Sequence, residues 1–406
     1  MTRVLIVTTN FWPEPTGTAP FATDLVIALQ NQGISIDTLT TYPHYPWWSL
    51  PDHYRQLQNP ARDDVGNSVI RVLHYIPKSS KLFTRFLYEL SLIRNLICAI
   101  HKFDFSQIEC VVTIGSSLAG HFVGKFLSKR NKVPLLIIVH DLVGKGLEQS
   151  GIPAGRIIAK YVQKLELNNL KSATAVAVIS PLMKRVVEEM RVDSAKIALL
   201  PLYSPKEISE LDSLSAKIEM GWDPNKFAIV HSGNMGTKQN LETVIEAARL
   251  LVSDSELVFY LVGHGNQEDS LKVRAKGLKN LFFLPATSDE DFPKVLAAAD
   301  LLLVCERASQ LEMSLPSKLA SYFFSNRPVI ASIPIGGATA MYLQHMAQIT
   351  PAENPKLLAD EIVSLKKDKI KRQSLAATSL EYAKLNLTRD VGRQKYVEWI
   401  LRVLKN

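Results

Sequence analysis

The sequence predicts an α/β protein made of two doubly wound, Rossmann-like parallel sheets, and three observations predict it. Short apolar, β-branched runs alternate with longer segments of helical periodicity along most of the chain, the pattern of parallel strands covered by helices. That alternation runs once before residue 200 and starts afresh after it. The length of 406 residues also exceeds one ordinary core, since domains usually span about 100–200 residues. With 47% hydrophobic and 21% charged residues, the composition is globular and excludes disordered or fibrous classes.

In the first half the expected strands are residues 4–8, 35–40, 70–74, 110–114, 135–139 and 175–179, with helices at 20–32, 82–101, 118–130 and 152–170. In the second half they are 227–231, 257–262, 281–284, 301–304 and 329–332, with helices at 241–252, 289–299 and 315–325. Residues 200–223, with Pro201 and Pro205 and weak periodicity, read as a hinge. The expected domains are therefore 1–203 and 204–387, with a terminal helix at 388–406 packing back on the first. Two such sheets joined by a hinge would face one another across an interdomain cleft.

The formal charge of +8 is uneven, with +7 in residues 1–200 and +1 in the remainder. A basic first domain suits an anionic membrane surface, a phosphorylated lipid or nucleic acid, and is also common with no specific anionic partner. Cys98, Cys110 and Cys305 show no metal or redox spacing and are expected as buried thiols in a reducing compartment. No run approaches the roughly 18 apolar residues of a membrane span, and the first apolar run is too short for a signal peptide. A cytoplasmic protein is expected, with peripheral contact at the inner face of the plasma membrane.

Open parallel sheets bind ligands beyond the carboxyl ends of their strands, so the residues following each strand are the candidates. After the first strand, Thr16 and Gly17 precede a helix whose free N–H groups favour an anion or a close-lying substrate. A strand-to-helix turn needs such residues anyway. After the second strand, Tyr42-Pro-His-Tyr-Pro-Trp-Trp48, with His44 and Tyr45, offers aromatic faces for sugar rings or lipid headgroups, or simply packs. The fifth strand ends in His140-Asp141, an imidazole and a carboxylate able to exchange hydrogen bonds with sugar hydroxyls. A histidine bonded to a loop carbonyl is the alternative.

In the second half, Ser232-Gly233-Asn234-Met235-Gly236 with Lys238 lies between strand and helix. Its glycines let the backbone approach a diphosphate, and Lys238 supplies a full positive charge. Gly263 and Gly265 follow the next strand and fit close approach of a nucleotide, or an ordinary turn. Met313-Ser-Leu-Pro-Ser-Lys-Leu319 opens a helix with Ser317 and Lys318 in its first turn. A lysine there opposes the helix dipole unless an anion sits beside it or the side chain turns to solvent. Two other signals are set aside. Asp289-Glu-Asp291 resembles a metal-holding pair, but it follows Ser288 and reads as an acidic helix start. Residues 78–101, with Lys81, Arg85 and Arg94, can lie on a membrane or form a core helix, and the core reading is preferred.

Pro13-Glu-Pro-Thr-Gly17, Ser232-Gly-Asn-Met-Gly236 with Lys238, and Leu315-Pro-Ser-Lys-Leu319 resemble, in order and spacing over nearly the whole chain, the family 4 glycosyltransferases. Within that family the resemblance is to the colanic acid type of exopolysaccharide transferase. It implies the GT-B architecture and transfer of a sugar from a nucleoside diphosphate donor to a lipid-linked or glycan acceptor. It further implies retained anomeric configuration, no required metal or other cofactor, and no nucleic-acid partner. The residues carried over for the donor are Gly17, Ser232, Gly233, Asn234, Gly236, Lys238, Gly263, Gly265, Leu315, Pro316, Ser317, Lys318 and Ser321. Those for the acceptor are Thr16, Gly17, His44, Tyr45 and His140, and the catalytic set is His140, Asp141 and Lys238.

Three positions depart from the family. Asn234 stands where many members carry arginine, while Met313 and Ser321 stand where they carry two glutamates, with Glu312 one residue out of register. The departures keep two other readings open, a catalytically weakened nucleotide-binding partner and a nucleotide-sugar epimerase of the same fold.

Overall fold

The computed structural model describes the chain apart from residues 1, 16, 53–67, 79–81, 101–106, 150–154, 201–202, 205–210, 289, 310–315, 317 and 406. Thr16, Asp289, Glu312, Met313, Leu315 and Ser317 therefore lie outside the described residues. The chain divides into two compact units, Met1–Pro201 with Asp390–Asn406, and Leu202–Arg389.

The first unit is built on β1 (Arg3–Val7), β2 (Ser35–Thr41), β3 (Ser68–Val72), β4 (Cys110–Gly115), β5 (Leu135–Val139), β6 (Ala175–Val178) and β7 (Ile197–Leu199). They form one sheet in the order β3-β2-β1-β4-β5-β6-β7, with every neighbouring pair parallel. The second unit holds β8 (Phe227–Ser232), β9 (Leu257–Val262), β10 (Leu281–Leu284), β11 (Leu301–Cys305), β12 (Val329–Ile333) and β13 (Ala347–Pro351). Their order is β10-β9-β8-β11-β12-β13, again all parallel. Each sheet starts at its centre, winds outward, then returns to build the other side. The reversal falls between β1 and β4 in one and between β8 and β11 in the other, and such switch points open a crevice at the strand ends.

Strands covered on both faces need no polar alternation, which is why β4 (CVVTIG) and β5 (LLIIV) read as continuous apolar runs and are buried throughout. Helix starts follow local chemistry. Ser117 caps Leu118–Asn131 by accepting from Gly120 N–H, and Ser180 caps Pro181–Glu189 by accepting from Met183 N–H. The acidic segment near residue 290 also leads into a helix, Phe292–Ala297, but its N-cap Asp291 makes no side-chain cap bond, and Ser288 Oγ instead accepts from Asp291 N–H (3.1 Å).

Some elements differ from expectation. The edge strands β7 and β13, and the helices Val143–Gln149 and Pro181–Glu189, were not expected, because short segments at a sheet margin carry too little periodic apolar pattern. Residues 200–223 include a helix, Ser213–Glu219, capped by Asp212. Of the three cysteines, Cys110 and Cys305 are buried, but Cys98 is exposed. It lies on the outer face of Leu82–Ile100, four residues beyond the exposed Arg94. That helix also buries Leu92, Leu96 and Ile100 while leaving Phe83, Phe86 and Leu90 in solvent. Among the described residues no helix is long and apolar enough to cross a membrane.

The terminal helix, Arg389–Lys405, is tied to the first unit by polar contacts. Arg393 donates to the buried carboxylate of Asp24 from both Nε (2.7 Å) and Nη2, and Tyr396 Oη donates to Leu200 O (2.9 Å). Removing the cation takes a charged, hydrogen-bonded partner from a buried carboxylate. Arg393→Ala is expected to lower the unfolding free energy of this unit by roughly 3 kcal/mol. A shift of less than a third of that in urea titrations would show that Asp24 is satisfied without it.

Candidate functional site

The carboxyl end of β8 runs directly into the glycine-containing loop. Gly233 N–H donates to Val262 O (2.9 Å), Met235 N–H to His264 O (2.8 Å) and Gln267 N–H to Met235 O (3.0 Å), so this loop and the one after β9 lie backbone against backbone. Packing alone demands glycine here. A Cβ on Gly263 would stand 2.0 Å from Gly233 O, and one on Gly265 would stand 2.3 Å from Met235 O. The glycines at 263 and 265 are thus explained by close approach of the neighbouring loop.

Lys318 opens the helix Lys318–Phe324 and turns inward. Its Nζ lies 3.4 Å from each ring nitrogen of His231, and a Cβ on Gly233 would approach it to 3.2 Å. Burial pulls its pKa down to about 8, against the opposing pull of Cys305 and Glu306. His231, wholly buried, is held well below the ordinary imidazole range by burial and by Lys318, which leaves it neutral and able to accept from the ammonium. Tyr322, on the same helix, accepts from Ser232 N–H (2.9 Å) and donates to Ser232 O (3.2 Å). The helix and the β8 loop are therefore fixed together, with Ser321 one turn after Lys318 and Pro316 just before it. Asn234 and Lys238 are exposed at the loop's surface, and Gly236 is buried beside the Asn234 amide.

In the first unit, Glu14 organises the loops after β1 and β2. Its Oε1 accepts from His44 N–H (2.7 Å) and Tyr45 N–H (2.9 Å), and its Oε2 accepts from Asn10 Nδ2 (2.7 Å). Gly17, in the left-handed region at φ +68°, packs its backbone against the Tyr45 ring. His44 is 1% exposed, with Nε2 3.0 Å from Tyr88 Oη. Enclosed in this way, His44 supports the loop after β2 from beneath and is not placed to contact an acceptor as expected, while Trp47 and Trp48 present the exposed aromatic surface.

His140 follows β5. Its N–H donates to Gly115 O (3.4 Å), its ring stands edge-on to Phe21 at 5.5 Å, and its Nε2 has no hydrogen-bond partner among the described residues. Burial, and then His121, lower its pKa to about 4, so it is neutral near pH 7. Beside it, residues 143–144 donate from their backbone to the buried Glu166, whose Oε2 lies 3.0 Å from Gly144 N. Among the described residues no cluster of three or more His, Cys, Asp or Glu is placed to hold a metal ion.

Comparison with known proteins names this arrangement. Residues 16–202 match the glycosyl transferase 4-like domain and residues 226–368 match the glycosyl transferases group 1 family. The chain is a family 4 glycosyltransferase. It is 26% identical over 330 residues, covering 79% of this chain and 80% of the relative, to an Escherichia coli (strain K12) protein named as a colanic acid biosynthesis glycosyl transferase, WcaI. Among solved structures, sucrose-phosphate synthase from Thermosynechococcus elongatus superposes with a TM-score of 0.76 at 15% identity, covering 100% of both chains. Anabaena HepE in complex with UDP gives 0.69 at 15% identity, covering 99% of this chain and 100% of its own. These likenesses fix the fold as GT-B, with two Rossmann-like domains.

Several residues of this glycosyltransferase's candidate site carried no signal in the sequence. His231 and Tyr322 look like core residues in their segments, and Glu14 and Glu166 like surface carboxylates of a loop and a helix. Only the fold buries them. Glu166 has its pKa raised to about 7, chiefly by burial, against the hydrogen bonds from Gly144 and Val143. Because its folded pKa exceeds the unfolded one, the stability it contributes is complete below about pH 4.5 and lost as pH rises through about 7. Glu166→Gln keeps an oxygen for Gly144 N–H and has no such dependence. Its stability relative to wild type is expected to rise between pH 5 and pH 8 in denaturant titrations. A difference that stays constant across that range would mean that Glu166 is already ionised in the fold.

Proposed function

We propose that this glycosyltransferase moves a sugar from a nucleoside diphosphate sugar to a lipid-linked or polysaccharide acceptor in exopolysaccharide synthesis, with retention of configuration and without a required metal. The observation that carries the donor part is the cation at the β8 loop. Lys318 is half-buried at the start of a helix, beside glycine-lined backbone, and a diphosphate would relieve both the desolvation and the dipole conflict. Lys238 supplies a second charge at the surface of the same loop. Negative charge accumulates on the departing diphosphate in the transition state, so these cations act where stabilisation accelerates the reaction. HepE was solved with UDP and with UDP-glucose, which supports a nucleotide sugar here. The WcaI relative supports the polysaccharide role.

On this reading His140, neutral and with a buried Nε2 that lacks a partner among the described residues, exchanges hydrogen bonds with sugar hydroxyls, and Asp141 assists beside it. Gly17 and Tyr45 border the acceptor. The exposed stripe of Phe83, Phe86 and Leu90, flanked by exposed Arg85 and Arg94, supports peripheral contact with an anionic membrane at the cytoplasmic face. A second reading, a partner protein that binds the diphosphate without turnover, is favoured by Ser321 and Met313 at the two positions where the family carries glutamate.

Incubation with UDP-, GDP- and dTDP-sugars, following donor hydrolysis or transfer, separates the two readings. Turnover with a retained anomer supports the transferase, an inverted product removes the retaining claim, and nucleoside diphosphate binding without turnover favours the partner reading. Lys318→Ala is expected to weaken diphosphate binding at least ten-fold, about the worth of a charge-assisted hydrogen bond. Unchanged affinity would remove Lys318 from the site. In vesicle co-sedimentation, the wild type is expected to pellet with anionic but not zwitterionic vesicles, and Phe86→Glu to stay in the supernatant. Equal pelleting of the two proteins would dismiss the stripe.

A further inference from the structure

Glu306 is the first residue after β11, the strand paired with β8, and so stands at the point where the second sheet reverses its winding. Its position is fixed from several sides. Its N–H donates to Ser332 O (3.0 Å), and the next residue, Arg307, donates from its N–H to Lys238 O (3.0 Å). The Arg307 guanidinium donates to Thr237 O (2.5 Å) and to Glu242 Oε1 (2.7 Å). These bonds fasten the exit of β11 to the loop that runs from Gly233 to Lys238.

The carboxyl group is only partly satisfied. Thr339 Oγ1 donates to Oε1 (2.8 Å), and among the described residues this is its one hydrogen bond. Burial raises its pKa to about 7, against the Thr339 bond and the charges of Lys318 and Lys238. A carboxylate can accept about four hydrogen bonds, and a half-buried one with a single donor is costly unless a ligand supplies more. The diphosphate cannot be that ligand group, because it offers no donor and repels the carboxylate. The sugar ring of a nucleotide sugar carries several hydroxyl donors close to its phosphates.

Resting on the donor reading above, we propose that Glu306 is a specificity-determining residue of the donor site, its Oε2 accepting a hydrogen bond from a hydroxyl of the transferred sugar. It places a carboxylate in the donor crevice independently of the positions held by Met313 and Ser321.

The test is calorimetric titration of the wild type, Glu306→Ala and Glu306→Gln with UDP, GDP and dTDP and with UDP-glucose, GDP-mannose and dTDP-glucose. The pair that the wild type binds is then compared among the variants. Glu306→Ala is expected to weaken the nucleotide sugar by roughly ten-fold, while the bare diphosphate binds as well as before or tighter, since a negative group has left the lysines. Glu306→Gln keeps one acceptor oxygen and should fall between. Equal weakening of both ligands would overturn the proposal, because a carboxylate that only keeps Lys318 charged, or holds the ribose, acts on both alike. No change in either ligand would overturn it as well. A wild type that binds no nucleotide of the panel removes the donor reading and this proposal with it, whereas normal wild-type binding with indifferent variants removes the proposal alone.

Discussion

An ammonium group at the start of a helix, out of bulk water, is doubly unfavourable. Desolvation penalises its charge, and the unpaired N–H groups of the first turn add like charge. Lys318 occupies such a place, and its lowered pKa reports the cost. The surrounding structure is arranged around that cation. Neutral His231 stands under it, Glu306 balances part of its charge, and Tyr322 grips the backbone of Ser232 so that helix and loop cannot separate. A free energy penalty concentrated at one charged atom is removed most directly by an anion. On the proposed donor reading, this end of the second unit is built in advance of its ligand.

The first unit uses buried carboxylates instead, and uses them to shape loops. Glu14 gathers three donors from two different loops, and Glu166 receives the backbone of the segment just after Asp141. A loop has no repeating ladder to satisfy its N–H groups, so a buried acceptor can define its course where secondary structure cannot. Burying such a group is tolerable where donors meet it, as they meet both oxygens of Glu14. Around these anchors the imidazoles of His121 and His140 are enclosed and neutral.

The fold was legible to the extent that its strands are buried on both faces. β5, β9 and β10 fall at the expected residues because LLIIV, LVFYLV and LFFL are short apolar runs bounded by turn residues. β7 and β13 were not legible, since an edge strand of mixed polarity owes its conformation to the neighbour it pairs with, β6 in one sheet and β12 in the other. Exposure was likewise misread at Cys98, where periodicity identifies a helix but not which of its two apolar stripes meets the core. His44 shows the same limit at the site, because an aromatic loop residue can face a ligand or support the loop, and only packing against Tyr88 decides.

Local pattern determined the repeated α/β alternation, the two sheets and the turns where an anion can sit, because each depends on residues close together in sequence. The ordered glycine, serine and lysine motifs were enough to indicate the glycosyltransferase family. Tertiary structure decided which groups share an environment. Lys318 meets His231 across 87 positions, Tyr322 meets Ser232 across 90, and Arg393 meets Asp24 across 369. Burial, and with it the protonation and strength of every polar contact in the site, is a property of those long-range encounters. No spacing along the chain encodes it.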